Sequence, residues 1–399
     1  MPRDFYLYLA SRFASAAALT LMRSAISWHV YTVSNSAFHL GLIGIVQFVP
    51  ALALTLVGGA VADSYDRRRI INAAQVVLLV AGAVLYAVTS HGSATLPALY
   101  ASVLLISSAG AFESPARVAL LPGLVPRERF PRAVTISSTN QALAFASGPA
   151  IGGVIIAHAG IGAAYATFLV LIVVAFALIL MLRPAARSDG PRRQVSLAAI
   201  QEGLRFVWTR PVVLGCMTLD MFAVIFGGAT ALLPIYAKDI LQVGARGYGL
   251  LSASLEIGAL TMAMFLMFRP PIRRAGVTLL FAVVVYGVAT MVFGLSRIFP
   301  LSIAAYMIAG MADQVSVVMR STAIQLSTPD ELRGRVSSVS MLFIGASNQL
   351  GAAESGFVAE LTSPTFAVVS GGAACLLVVV LVTLRLPELR RYRVETASA

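Results

Sequence analysis

The sequence predicts an all-α membrane protein in which twelve transmembrane helices form two pseudo-symmetric six-helix bundles. Three observations carry that expectation. Hydrophobic residues make up 58% of the 399-residue chain and charged residues only 12%, with a mean hydropathy of +0.86, whereas soluble domains carry about 25% charge. Apolar runs of about 20 residues, the length that crosses a hydrocarbon core, recur along the whole chain. Third, the stretch from Ala116 to Ala133 returns 203 residues further on, in the second half.

Charged turns divide the runs in order. Span one, Phe5 to Tyr31, follows Arg3 and lacks the charged start and small-residue cleavage site of a signal peptide, so it is expected to be retained. Spans two and three, Leu40 to Ala62 and Ile70 to Thr89, flank Arg67, Arg68 and Arg69. Spans four and five, Leu96 to Leu120 and Ala133 to Ala157, flank Arg127, Arg129 and Arg132. Span six, Ile161 to Leu182, gives way to a basic linker. Lys238 and Arg246 separate span seven, Pro211 to Tyr236, from span eight, Tyr248 to Phe268. Arg269, Arg273 and Arg274 then lead to span nine, Gly276 to Phe293. Arg297 precedes span ten, Pro300 to Ile324; Arg333 and Arg335 precede span eleven, Val336 to Val358; Arg385 closes span twelve, Phe366 to Leu384.

The formal charge of +12 is an orientation signal rather than a nucleic-acid footprint. With the amino terminus inside, 22 of the 29 Lys and Arg residues fall on one side. The positive-inside rule then puts both termini in the cytoplasm, with anionic lipid as neighbour. The expected domains are a bundle over 1–182, a linker over 183–210, a second bundle over 211–384 and a cytoplasmic tail over 385–399. Within the linker, "SLAAIQEGLRFVW" has the spacing of an amphipathic surface helix. Cys216 and Cys375 lie in separate apolar runs and suggest no disulfide or metal framework. His29, His39, His91 and His158 fall at outer span ends and read as interfacial.

The repeat is residue-for-residue: Arg117 falls on Arg320, Pro126 on Pro329, Glu128 on Glu331, Arg132 on Arg335 and Gly148 on Gly351. Parallel repeats with a site between them are a transporter architecture. The stretch "GGAVADSYDRRR" between spans two and three resembles the Gly-x-x-x-Asp-Arg-x-Gly-Arg-Arg signature of the major facilitator superfamily. Gly59 takes the glycine position, Asp63 the acid, and Arg67 and Arg68 the basic pair; Ser64 and Asp66 depart from it. "LVPRERFPRA", "SGPAIGGV" and "TPDELRGRVSS" resemble the branch of enterobactin-exporter-like and drug-exporter-like proteins. The resemblance implies the major facilitator fold, with Asp63 set against span eleven as a cytoplasmic latch and the arginines pairing with acids such as Glu113 or Asp66. "SGPAIGG" is similar to a glycine-proline motif of exporters. Its Gly148, Gly152 and Gly153 give a thin face for close packing, and Pro149 removes a backbone donor and bends the helix.

Ionisable groups inside spans are costly and usually face a cavity or a partner. Nine occur here: Arg12, Arg23, Glu113, Arg117, Asp220, Glu256, Asp313, Arg320 and Glu354. The resemblance implies that spans one, four, seven and ten line a central cavity, and seven of the nine lie on them. Glu113 and Arg117, four apart, share a helix face and suit an ion pair; Arg117 and Arg320 read as gate residues. Asp220 and Asp313 lie deeper and are candidates for carrying a coupling proton, with Glu256 and Glu354 as alternatives. Arg23 suits either an anionic substrate group or a partner such as Asp220 or Asp313. Trp28, Phe48, Phe222 and Tyr306 are candidates to line the cavity.

No nucleotide-binding Gly-x-x-x-x-Gly-Lys-Ser/Thr loop is present, so an ion gradient is the expected energy source and no cofactor or metal is expected. The reading is a secondary active transporter of the inner membrane, a proton-coupled antiporter that exports a siderophore or an amphipathic drug by alternating access, as a monomer. An uptake permease or a lysophospholipid flippase of the same fold is the alternative. An intramembrane enzyme needs a nucleophile with its base at a wet site, which the histidines do not supply, and a receptor needs an output domain.

Overall fold

The computed structural model describes residues 1–183, 197–269, 272–329 and 331–393, apart from the side chains at 55–56, 59–60, 62–64, 197–200 and 203. The first elements are α1 (Arg3–Ser34), α2 (Ala37–Ser64), α3 (Arg67–Ser90), α4 (Leu96–Leu120) and α5 (Phe130–Leu180). Next come α6 (Leu197–Thr209), α7 (Pro211–Phe226), the single turn α8 (Leu233–Ile235) and α9 (Gly244–Met267). The chain continues through α10 (Ala275–Leu295), α11 (Phe299–Leu326), α12 (Arg333–Leu361), α13 (Pro364–Arg385) and α14 (Pro387–Arg391). Among the described residues there is no strand, and ten helices are long and apolar enough to cross a membrane.

Two features reconcile ten with the expected twelve. The 51 residues of α5 extend to about 75 Å at 1.5 Å per residue, more than twice a hydrocarbon core of about 30 Å. The path breaks at Gly160 (φ 78°, ψ 173°), a conformation open to glycine and closed to most side chains, so this one element takes the place of spans five and six. Helical backbone persists through Pro149. The other feature is α12, 29 residues long and interrupted by Asn348 and Glu354, which is absent from the ten.

Span seven departs from expectation. Instead of reaching Tyr236, the helix stops at Phe226, and the chain passes through Gly227 and Gly228 into a 3₁₀ turn, α8 and a π turn over Tyr236–Ile240. Close backbone packing accounts for the stop. Gly351 of α12 faces the carbonyls of Val224 and Ile225, and Gly371 of α13 faces that of Phe226. The Tyr286 hydroxyl donates to the Gly227 carbonyl at 3.0 Å, satisfying a group that the interrupted helix leaves open.

Polarity is inverted relative to a soluble protein. Val170, Val173 and Val174 are exposed, whereas Ser11, Gln75 and Glu113 are buried. Two compact units result. One gathers Met1–Asn35, Val46–Val195 and Val243–Ala253; the other gathers Ser36–Ile45, Ser196–Gln242 and Ser254–Ala399. Thus α2 and α9 each contribute to both units. In the first unit Gly148 of α5 meets Ala17 and Leu21 of α1, Gly152 meets Leu21, and Gly153 lies against Ala245 and Gly249 of α9. In the second, α10 packs on α13 through Gly287 and Gly294.

The second unit also holds the start of α2. Glu360, beyond the end of span eleven, accepts from the Phe38 amide at 3.0 Å and the Ser36 hydroxyl at 2.9 Å, capping α2 from another helix. These donors hold its carboxyl below the usual carboxylate range. A carboxylate stabilised this way supports the fold above its unfolded pKa and loses that support as pH falls through the lower folded value. Glu360→Gln is therefore expected to lower the unfolding midpoint at pH 7, by a capping loss of at most about 1 kcal/mol at this exposed site, and to have a smaller effect at pH 3. Thermal unfolding in detergent at both pH values checks it.

Parts of the linker and tail are described. Glu202 of α6 pairs with Arg335 of α12, Val207 is buried, and Trp208 is 67% exposed. In α14, Leu389 is fully buried against Gly215 and Gly276, and the Gly276 amide donates to the Tyr392 carbonyl at 3.3 Å. The linker residues 184–196 and the tail residues 394–399 lie outside the described residues.

Candidate functional site

In the first unit a polar network crosses α1, α3, α4 and α5. Glu113 and Arg117, one turn apart on α4, form an ion pair at 2.7 Å with both side chains buried. Ser15 donates to the same carboxylate oxygen at 2.9 Å and Gln75 of α3 reaches it at 3.5 Å. Arg117 in turn donates to the Ser11 hydroxyl at 3.3 Å, while the Tyr8 hydroxyl donates to the Arg117 carbonyl at 3.0 Å. Arg12 donates to Tyr8 at 2.8 Å and bonds Gln141 of α5. A buried charge is tolerated when it is paired and its remaining bonding capacity is used; this cluster meets the first condition and part of the second, since Glu113 Oε2 and Gln75 Oε1 are buried without a hydrogen-bond partner among the described residues. The sequence reading found the Glu113–Arg117 pair and missed its company. Ser11 and Ser15, four apart in an apolar span, are the signal that could have found it.

His29, near the end of α1, is buried, and its Nδ1 lies 2.9 Å from the Tyr165 hydroxyl.

In the second unit Arg320 of α11 forms its ion pair with Asp220 of α7, and both side chains are buried. Asp313, two turns before Arg320, is not its partner. Instead Asp313 sits one turn from a close backbone crossing, where Gly310 of α11 faces the Leu255 carbonyl of α9 and Gly258 of α9 faces the Met307 carbonyl. Glu256 lies on the same stretch of α9, next to Leu255. Both acids are half-buried, and neither has an ion pair or hydrogen bond among the described residues. Glu354 of α12 accepts from Ser355 at 3.3 Å.

Arg23 is the corresponding cation in the first unit. It is exposed between the buried Met22 and Ser24, and it has no ion pair or hydrogen bond among the described residues. Of the candidate aromatics, Trp28 is buried and stacks on Tyr248 at 5.3 Å. Tyr306 is buried against Phe293 and bonds Thr230 at 2.7 Å. Phe222 and Phe48 are half-buried, Phe222 stacking on Phe226 at 6.0 Å.

A profile of the transmembrane secretion effector family matches residues 5–398. The chain belongs to that family of major facilitator transporters. Enterobactin exporters EntS from Escherichia coli O1:K1 / APEC and from Escherichia fergusonii are each 28% identical to it over 399 residues, covering 98% of this chain and 93% of theirs. Among solved structures, a bacterial homologue of the human lysosomal transporter Spinster, inward-facing and unoccupied, matches with a TM-score of 0.71 at 15% identity, covering 98% of this chain and 97% of that one. A POT peptide transporter in complex with alafosfalin matches with a TM-score of 0.76 at 13% identity, covering 98% and 96%. At these identities the likeness is one of fold.

The transporter thus has the major facilitator fold, spans the membrane several times and moves a small molecule. Its charged turn is only partly visible. Gly59 and Asp63 lie in α2, and their side chains are outside the described residues. Asp66 is the N-cap of α3, accepting from the Arg68 amide at 2.9 Å, rather than an ion-pair partner of the arginines. Arg68 reaches the Leu180 carbonyl at 3.4 Å, and Arg67 is half-buried.

Proposed function

We propose that the transporter is a proton-coupled exporter of a siderophore or amphipathic small molecule, working by alternating access between bundles over 1–182 and 211–384 in the inner membrane, with both termini cytoplasmic. The observation that carries the coupling half is the pair of half-buried carboxyls Asp313 and Glu256. An ionised carboxylate within a span is costly unless it is paired, and these two lie near each other without a cation, so a proton is the counter-charge that suits them. Asp220 is engaged with Arg320 and Glu354 with Ser355, which leaves Asp313 as the acid best suited to take and release it. Arg23, a mid-span cation without a partner among the described residues, suits the anionic group of a cargo. Phe222 and Phe48, which keep accessible ring surface, suit an aromatic part of it. The exporters named above are 28% identical along almost the whole chain, which supports a catechol siderophore as the first cargo to test.

In inverted membrane vesicles with a pH-sensitive dye, enterobactin is expected to be taken up and to discharge an imposed proton gradient. Asp313→Asn is expected to abolish the discharge and Asp220→Glu to retain it. Undiminished proton movement in Asp313→Asn removes that residue from the coupling step.

A further inference from the structure

The two repeats hold an arginine at the same place and satisfy it differently. Arg117 and Arg320 are 203 residues apart in register, and both are buried. Arg117 takes its carboxylate from Glu113 on its own helix. The residue in register with Glu113 is Ser316, also buried, and Arg320 takes its carboxylate from Asp220 on α7. A pair within one helix moves as a body with that helix and stays closed whatever its neighbours do. A pair between two helices resists their separation. We propose that Asp220–Arg320 is the parting tie of the transport cycle, holding α7 to α11 in one state and releasing in the other, while Glu113–Arg117 is a fixed charge that never opens. The proposal rests on the alternating-access reading above, and it makes Asp220 a positioning residue.

The packing around the tie fits that role. Val213, Cys216 and Met217 of α7 share one core cluster with Met319, Ala323 and Ile324 of α11, so the contact is apolar on one side of the charges and is pinned by them. Moreover, α7 ends six residues beyond Asp220, at Phe226, followed by Gly227 and Gly228. The segment that carries the acid is therefore short and bounded by a glycine pair, which suits a helix that tilts against its neighbours.

The test moves the carboxylate from one helix to the other. Asp220→Asn with Ser316→Glu copies the arrangement of the first repeat into the second, keeping Arg320 neutralised and abolishing the link between helices. Purified protein in nanodiscs, spin-labelled at positions 214 and 326, reports the α7–α11 separation without any cargo. Asp220→Asn alone is expected to lower the unfolding midpoint and move the distance distribution towards longer values. Adding Ser316→Glu is expected to restore the midpoint while the longer distances persist and enterobactin efflux stays lost. A double variant that regains both the native distances and efflux overturns the proposal, since neutralising Arg320 would then be all that matters.

Should that double variant fail to fold, Asp220→Arg with Arg320→Asp reverses the charges and keeps the link. It is expected to retain native distances, and distances as long as those of Asp220→Asn overturn the proposal equally. If the wild type moves no enterobactin, the cargo reading fails, while the distance measurements still decide the tie.

Discussion

Glu113→Ala is expected to destabilise the first unit by about 3–5 kcal/mol, the range seen when one partner of a buried ion pair is removed. The size follows from what remains. Arg117 keeps its charge, is buried, and loses the carboxylate it meets at 2.7 Å; Ser15 and Gln75 lose the same acceptor. The guanidinium, still buried, keeps only the Ser11 hydroxyl at 3.3 Å. Glu113→Gln retains an acceptor for Ser15 and removes only the negative charge, so its loss is expected to be smaller. Fluorescence-detected unfolding in detergent measures both, and a Glu113→Ala midpoint equal to wild type would show that the cluster relaxes around the missing acid.

Gly310→Val carries the other large effect. Any β-carbon at Gly310 runs into the Leu255 carbonyl, and Gly258 stands in the same relation to Met307. Backbone cannot step aside as a flexible side chain does, so α9 and α11 must separate, at about 1–3 kcal/mol or more for an overpacked contact. The separation falls where Glu256 and Asp313 lie, one turn from Gly310. Loss of efflux is expected to exceed what the drop in folded protein explains. Gly345→Ala is the matched control, because a β-carbon there meets nothing within 4 Å and helix propensity improves slightly. Equal efflux per folded molecule in Gly310→Val and wild type would separate the crossing from the acids.

Spans, repeat and fold were legible because a bilayer imposes one coarse requirement on every span, and apolar length reports it directly. Charge partners were less so. Glu113 and Arg117 were readable together since helix periodicity relates residues four apart. Asp220 and Arg320 are a hundred residues apart, and periodicity says nothing about that distance. Local chemistry hid the end of span seven as well, because Gly227 and Gly228 break a helix only in combination with the glycines of α12 and α13 that press on the preceding turn. The contact of His29 with Tyr165 was not legible either. Only tertiary packing decides whether a histidine near the end of a span is covered.

The polarity of α12 bears on how the transporter is made. Among the described residues ten helices are long and apolar enough to cross a membrane, and this one, with Asn348 and Glu354 inside it and arginines at its start, is not among them. Emerging from the ribosome alone, it would favour the aqueous side of the insertion channel. Its Gly351 meets the end of α7 and its Ser355 meets Gly228, synthesised more than a hundred residues earlier, and α13 follows after only Thr362 and Ser363. The second half is therefore expected to gain α12 only together with α13, the two entering as a hairpin, and a ribosome stalled before α13 emerges is expected to leave α12 outside the bilayer.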